Sequence, residues 1–490
     1  MADTTIPNNA IPGARQPRSA GIDALFQYPL LSALFDRRTR RIARGTSVLA
    51  DSLSHTSTNN PAPLSALEEA VLIVSTGLTG SVMHDGPLQI PGGGSELGTP
   101  FVYALGRSAS SPDNSQATSF FMINDEGIFL LKRLEGEEAL TVLGGLPPNK
   151  ADWADADWIA AAEAVKVKLY DQRLEFPRQF PYYLGWNKQI SNRPGTTIFF
   201  PVVDCTRGYI NIMLNLLTEP DGQRPLWVDD WQKFKAADVV EAVEWAGVEM
   251  GLAGANKNIP YQVIGGLTRA QDKFVNPDIV LPLGLASTMR VNYESFFLLQ
   301  NLMLVGQGMG LGGWVHASVA PPYVLQRDPS KQFLGLGFRM EPCKSWPDAD
   351  WPPVPASQPN PVGIDGVLQG LCPPYVASMD NAIDQFLSEK YGPAGMYGDV
   401  NVFRRPYLSE ATAQQYLQSA SHYSDQAVAY AKQICGYIYD TYGRFPAHCD
   451  AFHVPGIWLQ FSHLELEYYE KYYEPEQFTR QAEHAALWGE

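Results

Sequence analysis

Residues 36–45, DRRTRRIARG, carry five arginines within ten positions, directly after a short apolar segment. The five are Arg37, Arg38, Arg40, Arg41 and Arg44. In a chain whose formal net charge is -16, such a cluster either solubilises a helix end or binds a particular anion. Because the helix dipole already favours cations near a helix C-terminus, the cluster by itself is compatible with both interpretations.

A second candidate is the loop SPDNSQ, residues 111–116, which leads into the segment SFFMIND. The hydroxyl of Ser111 and the amides of Asn114 and Gln116 could hydrogen-bond the polar edge of a flat heterocycle. The alternative is an ordinary Asx-type turn before a strand. The residue types leave both interpretations open.

A third candidate is the segment GQGMGLGGWVH, residues 306–316, at the end of an apolar helix pattern. Its residues Gly310, Leu311 and Gly312 could form a helix C-cap followed by a loop. The signature of a P-loop is absent, and no strand directly precedes a GxGxxG-type turn. The segment is therefore not a standard phosphate-binding loop.

Histidines and acids are concentrated near the end of the chain. The plausible metal ligands there are His448, Cys449, Asp450, His453, His463, Glu465 and Glu467. Their spacing matches no standard zinc or di-iron signature, and the aromatic residues among them suit a packed helix pair. The sequence therefore predicts structural histidines or a substrate-facing wall, and no metal site.

The composition predicts a globular protein, because 490 residues that are 45% hydrophobic can bury a large core. The excess of 52 acidic over 36 basic side chains argues against nucleic acid and acidic membrane surfaces as partners. No apolar run of about 18 residues and no signal-peptide core is present, so we expect a cytoplasmic protein. The five cysteines are scattered without a CxxC pair, which favours reduced thiols.

Helix and strand patterns alternate along the chain. Residues 28–38 predict a helix with an apolar face, and Ser65 and Glu68 form a capping-box pattern at the start of another helix. Residues 119–133 predict a β-hairpin. We further predict helices over 155–172, 236–250 and 411–443, strands over 196–204, 208–217 and 333–340, and a fully buried helix that begins near Tyr293.

Taken in order, the arginine segment, the SPDNSQ loop, the apolar helix with its GLG ending and the LGLGF strand resemble the nitroreductase superfamily of flavin-dependent oxidoreductases. The resemblance implies that Arg37, Thr39 and Arg41 bind the FMN phosphate, with Arg38 nearby. Guanidinium groups pair bidentately with phosphate oxygens, and a threonine hydroxyl adds a further hydrogen bond.

The same resemblance assigns the other motifs to the flavin. Ser111, Asn114 and Gln116 correspond to the loop near the isoalloxazine ring and the ribityl chain. Gly310, Leu311 and Gly312 correspond to a turn that allows close backbone approach to a ligand. The segment FRRPYLSE is similar to the family's C-terminal Arg-Arg-Pro segment, so Arg404 or Arg405 would complete the phosphate site.

The resemblance implies an α+β fold: a nitroreductase-like antiparallel sheet flanked by helices, with a long middle insertion and a helical C-terminal extension. The implied organisation is an N-terminal arm over 1–20, core segments over 21–150 and 286–345, an insertion over 151–285, a Pro-rich connector over 346–409, and the extension over 410–490. The chain departs from the family pattern at Ala117 and Thr118, where Pro-Trp is usual.

These features predict an FMN-dependent oxidoreductase, in which the flavin exchanges a hydride at N5 with an organic substrate. The resemblance also implies a homodimer with flavin sites between the subunits. The substrate class stays open among nitroaromatics, quinones and peptides or azolines. The alternative is a binding or scaffold protein that kept the fold and lost redox activity.

Overall fold

The structure is a computed structural model. It describes residues 18–49, 52–84, 88–89, 95–96, 101–180, 182–183, 185–227, 272–281, 284–317, 324–326, 335–342, 360–393, 395–398, 406–420, 422–445, 447 and 457–489. Arg404 and Arg405, the predicted helix over 236–250, and the candidate ligands His448, Cys449, Asp450 and His453 lie outside these ranges.

The described strands, numbered in chain order, are β1 (Leu78–Ser81), β2 (Leu88–Gln89), β3 (Ser95–Glu96), β4 (Leu105–Arg107), β5 (Thr118–Asn124), β6 (Gly127–Leu131), β7 (Lys166–Tyr170), β8 (Thr197–Val203), β9 (Pro225–Trp227), β10 (Asn276–Leu281), β11 (Gly312–Ala317), β12 (Arg339–Glu341), β13 (Asn360–Ile364), β14 (Leu368–Gln369) and β15 (Ile457–Ser462).

The described helices are α1 (Ala20–Gln27), α2 (Leu30–Phe35), α3 (Ala66–Ser75), α4 (Gly136–Gly144), α5 (Asp155–Glu163), α6 (Thr206–Leu216), α7 (Gly284–Met309), α8 (Met379–Tyr391), α9 (Glu410–Ser419), α10 (Asp425–Tyr442), α11 (Leu466–Tyr472), α12 (Thr479–Ala482) and α13 (His484–Trp488).

The main sheet contains six strands in the order β11-β15-β8-β5-β6-β7, and every neighbouring pair is antiparallel. Alternate side chains of its strands enter two different cores. Phe121 and Phe200 belong to one core, whereas Phe120 and Phe199 belong to the other. The predicted α+β class with an antiparallel sheet and flanking helices is therefore confirmed, while its relation to nitroreductases stays a prediction.

Three local predictions are confirmed. Residues 119–133 contain the hairpin of β5 and β6, and residues 196–204 contain the buried strand β8. At the start of α3, Ser65 accepts the N–H of Glu68, and the Glu68 carboxylate accepts the N–H of Ser65 at 2.7 Å. The hairpin and the helix start are encoded by local turn and capping chemistry, and β8 by a short run of branched and aromatic residues, so neighbouring residues suffice to specify them.

Other predictions of secondary structure were wrong. Residues 208–217 were expected to be a strand but belong to helix α6, because Tyr209, Ile210, Met213 and Leu214 recur at helical spacing and are buried. Residues 155–172 form helix α5 followed by strand β7, and residues 411–443 form two helices rather than one. In the segment 333–340, the described strand begins only at Arg339.

Segments expected outside the core supply strands to the main sheet. β7 and β8 come from residues 151–285, the expected insertion, and β8 pairs with β5. The C-terminal region was expected to be helical, but it also contains β15, which lies between β11 and β8. The sheet therefore depends on contacts between residues that are distant in sequence.

The long helix α7 was expected to be buried on all sides, and this expectation was wrong. Tyr293, Phe296 and Phe297 are 51%, 40% and 50% exposed, although Leu298 and Leu302 are buried against the sheet. Helix α2 packs against α7, and its apolar face is exposed as well, through Leu30, Leu31, Leu34 and Phe35. Within the described ranges, no helix has the length and hydropathy needed to cross a membrane.

Candidate functional site

The arginine segment follows α2 and lies against the end of β15. The backbone N–H of Arg44 donates to the carbonyl of His463 at 2.9 Å, and the N–H of Glu465 donates to the carbonyl of Ile42 at 3.0 Å. Gly45, at φ 83°, donates its N–H to the Glu465 carboxylate at 2.7 Å. These bonds fix the C-terminal half of the segment to the sheet.

Arg40 has a structural position within this segment. Its guanidinium is buried, donates to the side-chain oxygen of Gln307 on α7 at 3.1 Å, and also donates to the backbone carbonyl of Gln477. Burial lowers the pKa of Arg40 to about 10. Its bonding groups face the protein interior, so Arg40 connects the segment to α7 and to the C-terminal region.

The residues assigned to the phosphate by resemblance lie closer to solvent. Arg38, Thr39 and Arg41 are exposed and Arg37 is half-buried. Arg38 donates to the carbonyls of Phe35 and Arg37, and Arg41 donates to the side-chain oxygen of Asn187 at 3.3 Å. None of the three arginines pairs with a carboxylate in the described part of the chain.

The glycine turn lies beside the arginine segment. Gly310 adopts φ 87°, and a Cβ atom at that position would be 2.6 Å from the carbonyl oxygen of Arg480. A Cβ at Gly312 would be 2.3 Å from Leu464 and 3.2 Å from the carbonyl oxygen of Arg40. Glycine is therefore required here for backbone packing, which explains the turn without a ligand.

The SPDNSQ loop has an unusual backbone and a dense set of hydrogen bonds. Asp113, Asn114 and Gln116 all adopt positive φ, between 44° and 49°. The Asn114 amide donates to the carbonyls of Tyr103 and Leu105. Left-handed conformations of this kind cost energy and are concentrated at functional sites.

The carboxylate of Glu294 on α7 accepts hydrogen bonds from both ends of this loop. Its Oε2 accepts the Ser111 hydroxyl at 2.5 Å and the N–H of Ala117 at 3.2 Å, and its Oε1 accepts the N–H of Thr118 at 2.9 Å. Ser111 and Asn114 therefore hold the loop in place, and their contacts with a flavin stay a prediction. The Gln116 amide donates to Asn114 Oδ1, but its buried Oε1 has no partner among the described residues.

A cleft of about 350 Å³ borders Gln116. Tyr103, Arg133 and Arg207 also line this cleft. Arg133 stacks over the Tyr103 ring, and Arg207 donates two hydrogen bonds to Glu389 at 3.0 Å. The volume falls in the range typical of small-molecule sites, and Gln116 lies in the wall of this cleft.

The candidate residues form two separate groups within one chain. The SPDNSQ loop contacts Glu294, whereas the arginine segment contacts Gln307 on the same helix. Thirteen residues of α-helix span roughly 20 Å, at 1.5 Å per residue. The arginine segment and the glycine turn thus lie together near the C-terminal end of α7, and the SPDNSQ loop lies near its middle.

A buried cluster joins Glu68, His463 and His484. The Nε2 atoms of the two histidines lie 3.1 Å and 2.9 Å from Glu68 Oε1. Burial raises the pKa of Glu68, but the interactions with His463 and His484 outweigh this effect and hold that pKa well below its usual range. Sequence reasoning had assigned Glu68 only to a helix cap and had not selected His484.

A second cluster surrounds Glu465, which is fully buried. His55, Ser57, Asn59 and Gly45 all donate to its carboxylate, at distances between 2.7 Å and 3.1 Å. This carboxylate fixes the segment that follows the arginines. Two of the predicted candidate ligands, His463 and Glu465, thus occupy different clusters.

Comparison of the chain with protein-family models, curated proteins and solved structures gives no match.

Proposed function

We propose that this protein is an FMN-dependent oxidoreductase that binds its cofactor between two copies of the chain. The observation that carries the proposal is the arginine segment: Arg37, Arg38 and Arg41 lie within five positions and have no carboxylate partner in the described structure. Elsewhere in this acidic chain, Arg173, Arg207 and Arg480 each pair with a carboxylate.

The chemistry of this segment fits a phosphate monoester. Clustered guanidinium groups repel one another unless an anion lies between them, and phosphate accepts their forked N–H groups. Arg37, Thr39 and Arg41 would hold this phosphate. Arg40 would keep the segment in position through Gln307 and Gln477.

The chemistry of the SPDNSQ loop fits the isoalloxazine ring of FMN, at the end of the molecule away from the phosphate. The unpaired Oε1 of Gln116 can accept a hydrogen bond, and the imide N–H of an isoalloxazine ring is a matching donor. Bound FMN supplies hydride transfer, and the surrounding side chains orient it and exclude water. A buried, unpaired acceptor beside a cleft supports a polar ligand at this position.

A second copy of the chain would join the two groups of residues. Tyr293, Phe296 and Phe297 give α7 an exposed aromatic face, and large exposed apolar patches on a protein commonly mark interfaces. If two α7 helices pack antiparallel about a two-fold axis, the SPDNSQ loop of one copy approaches the arginine segment of the other. The proposed homodimer therefore completes two equivalent sites.

The test uses the purified full-length chain. We expect a yellow protein with the visible absorption bands of oxidised flavin, roughly one FMN released per chain on denaturation, and a dimer by light scattering. A colourless protein that takes up no added FMN would refute the proposal. If the protein is yellow, its substrate can be sought among nitroaromatics, quinones, and peptides or azolines by following reduction or reoxidation of the bound flavin.

The second candidate function is a scaffold with this fold and no redox activity. Ala117 and Thr118 favour it, because they replace the Pro-Trp pair usual beside the flavin in the family that the chain resembles. A colourless protein that takes up no added FMN would support this second function.

A further inference from the structure

We propose that Glu68, His463 and His484 form a binding site for a divalent transition metal of the zinc class. The three residues come from the start of α3, the segment after β15, and α13. Their side chains are 1%, 4% and 6% exposed. Two imidazoles and one carboxylate are the donor set of many zinc sites, and this donor set disfavours magnesium and calcium.

His484 is held with its Nε2 atom beside Glu68. Its Nδ1 lies 2.9 Å from the carbonyl oxygen of Met309, and because a carbonyl only accepts, Nδ1 carries a proton. Its buried Nε2 lies 2.9 Å from Glu68 Oε1 but makes no hydrogen bond with the described residues. A metal ion bound by both atoms would provide this nitrogen with a partner.

Two features of the surroundings favour a metal ion. Metal-binding histidines usually donate their second N–H to a backbone carbonyl or a carboxylate, as His484 does to Met309. The capping bond from Ser65 occupies Glu68 Oε2 and leaves Oε1 directed at both imidazoles. Supporting bonds of this kind orient ligands before a metal binds.

The distances agree with coordination. Metal–ligand bonds of about 2.1 Å at octahedral or tetrahedral angles separate neighbouring ligand atoms by roughly 3.0–3.4 Å. The Nε2 atoms of His463 and His484 lie 3.1 Å and 2.9 Å from Glu68 Oε1, and all three ligand atoms lie within 4.8 Å of one another. Small side-chain movements would therefore admit the ion.

The ion would have a structural role. It would join α3, the end of β15 and the C-terminal helix α13, which contact one another only through tertiary packing. The carbonyl of His463 accepts the N–H of Arg44, so the site lies at the base of the arginine segment. This proposal concerns folding and does not depend on flavin binding.

The neighbouring cluster provides a matched control. His55 also donates to a buried carboxylate, that of Glu465, at 3.1 Å. Gly45, Ser57 and Asn59 already donate to the same carboxylate, so its lone pairs are occupied. A His55→Gln change therefore removes a buried histidine of similar type without removing a proposed metal ligand.

The experiment titrates chelator-stripped, full-length protein with Zn²⁺ against a chromogenic chelator. We expect one ion per wild-type chain, affinity at least about 100-fold weaker in both His463→Gln and His484→Gln, and unchanged affinity in His55→Gln. X-ray absorption of the zinc-loaded protein should show two imidazole ligands and no sulfur.

A second measurement covers the case in which the ligand variants do not fold. Zn²⁺ should raise the melting temperature of the stripped wild-type chain and of His55→Gln by several degrees, and a chelator should reverse the rise. A wild-type chain that neither binds Zn²⁺ nor shifts its melting temperature would refute the site and leave a protonated cluster. Sulfur ligands, or equal affinity in all folded variants, would refute it too.

Discussion

The carboxylate of Glu294 accepts a hydrogen bond from the backbone N–H of Thr118 at 2.9 Å, and so joins the long helix α7 to the first residue of strand β5. The other oxygen accepts from Ser111 and Ala117. The loop between these residues contains three positive-φ residues, each costing about 1–3 kcal/mol. Glu294 thus stabilises a backbone that the loop sequence does not favour.

Glu294→Ala should therefore be strongly destabilising. It leaves two backbone N–H groups and the Ser111 hydroxyl without their acceptor in a buried site, and each loss costs about 1–3 kcal/mol. We expect the free energy of unfolding in urea to fall by roughly 3 kcal/mol or more. The control Gln415→Ala, on the exposed side of α9, should change it by less than about 0.5 kcal/mol. Equal effects of the two changes would contradict this role for Glu294.

The arginine segment should separate into residues needed for stability and residues needed for phosphate binding. Arg37→Ala and Arg41→Ala each remove a charge-assisted hydrogen bond of about 1.5–3 kcal/mol, so the affinity for FMN should fall roughly tenfold to a hundredfold. Riboflavin, which has no phosphate, should be affected much less. Titration of each apo-variant with both ligands measures the difference.

The control for these variants is Arg339→Ala, which removes a half-exposed arginine that pairs with Glu341 on a different sheet. It should bind FMN like the wild type. If Arg37→Ala, Arg41→Ala and Arg339→Ala all bind FMN alike, or if riboflavin and FMN weaken equally, the phosphate assignment is wrong.

Arg40→Ala should lower the stability of the apo-protein, whereas Arg37→Ala and Arg41→Ala should lower its affinity for FMN. It removes the buried donor to the carbonyl of Gln477 and one of two donors to the side-chain oxygen of Gln307, which also accepts from Gln481 at 3.3 Å. The unfolding free energy should therefore fall by about 1–3 kcal/mol. Denaturant unfolding of the apo-protein measures this loss. A variant that is as stable as Arg37→Ala would show that Arg40 does not anchor the segment.

Motifs that depend on neighbouring residues could be predicted from the sequence. The Ser65–Glu68 capping box and the β5–β6 hairpin follow from local cap and turn patterns. The antiparallel class was expected from the family resemblance. Residues 208–217 show the limit of this approach. Branched and aromatic residues suggested a strand, but Tyr209 and Met213 pack in a separate buried cluster with residues of α8 and α10, and this packing selects a helix.

The candidate site could be predicted only as separate motifs. Nothing in the local pattern shows that Glu294 supports the SPDNSQ loop, because 183 residues separate it from Ser111. Likewise, Glu68 matches a helix cap, and its contacts with His463 and His484 arise from tertiary packing. The sequence predicted that α7 is buried on all sides, because its residues are apolar on nearly every face. Apolar composition alone does not distinguish residues of a protein core from exposed residues of an interface.

The exposed apolar residues of α7 should form the contact between two copies. Phe297→Glu places a carboxylate in the proposed interface twice, once from each copy, and should weaken dimerisation at least about tenfold. Light scattering and sedimentation over a dilution series would measure the change. FMN affinity should fall as well, because each proposed site needs both copies. The control Leu408→Glu changes another exposed apolar side chain, outside α2 and α7, and should stay dimeric.

His316 should make the stability of the protein depend on pH. It is buried and stacked on Trp314, and burial together with the nearby Arg41 lowers the pKa of His316 to about 3. An unfolded histidine titrates near 6.5, so below that pH the unfolded chain binds a proton that the folded chain excludes. Stability should therefore be complete above about pH 6.5 and decline as the pH falls towards 3.

The expected size of this effect is about 2 kcal/mol between roughly pH 7.5 and pH 5, at 1.36 kcal/mol per pKa unit. Other titrating groups also contribute, so the measurement compares urea unfolding of the wild type and His316→Gln at both pH values. The variant should lose about 2 kcal/mol less than the wild type on acidification. The control His422→Gln removes an exposed histidine and should follow the wild type. If His316→Gln and the wild type lose the same stability, the imidazole of His316 is protonated in the folded chain and its proposed neutral state is wrong.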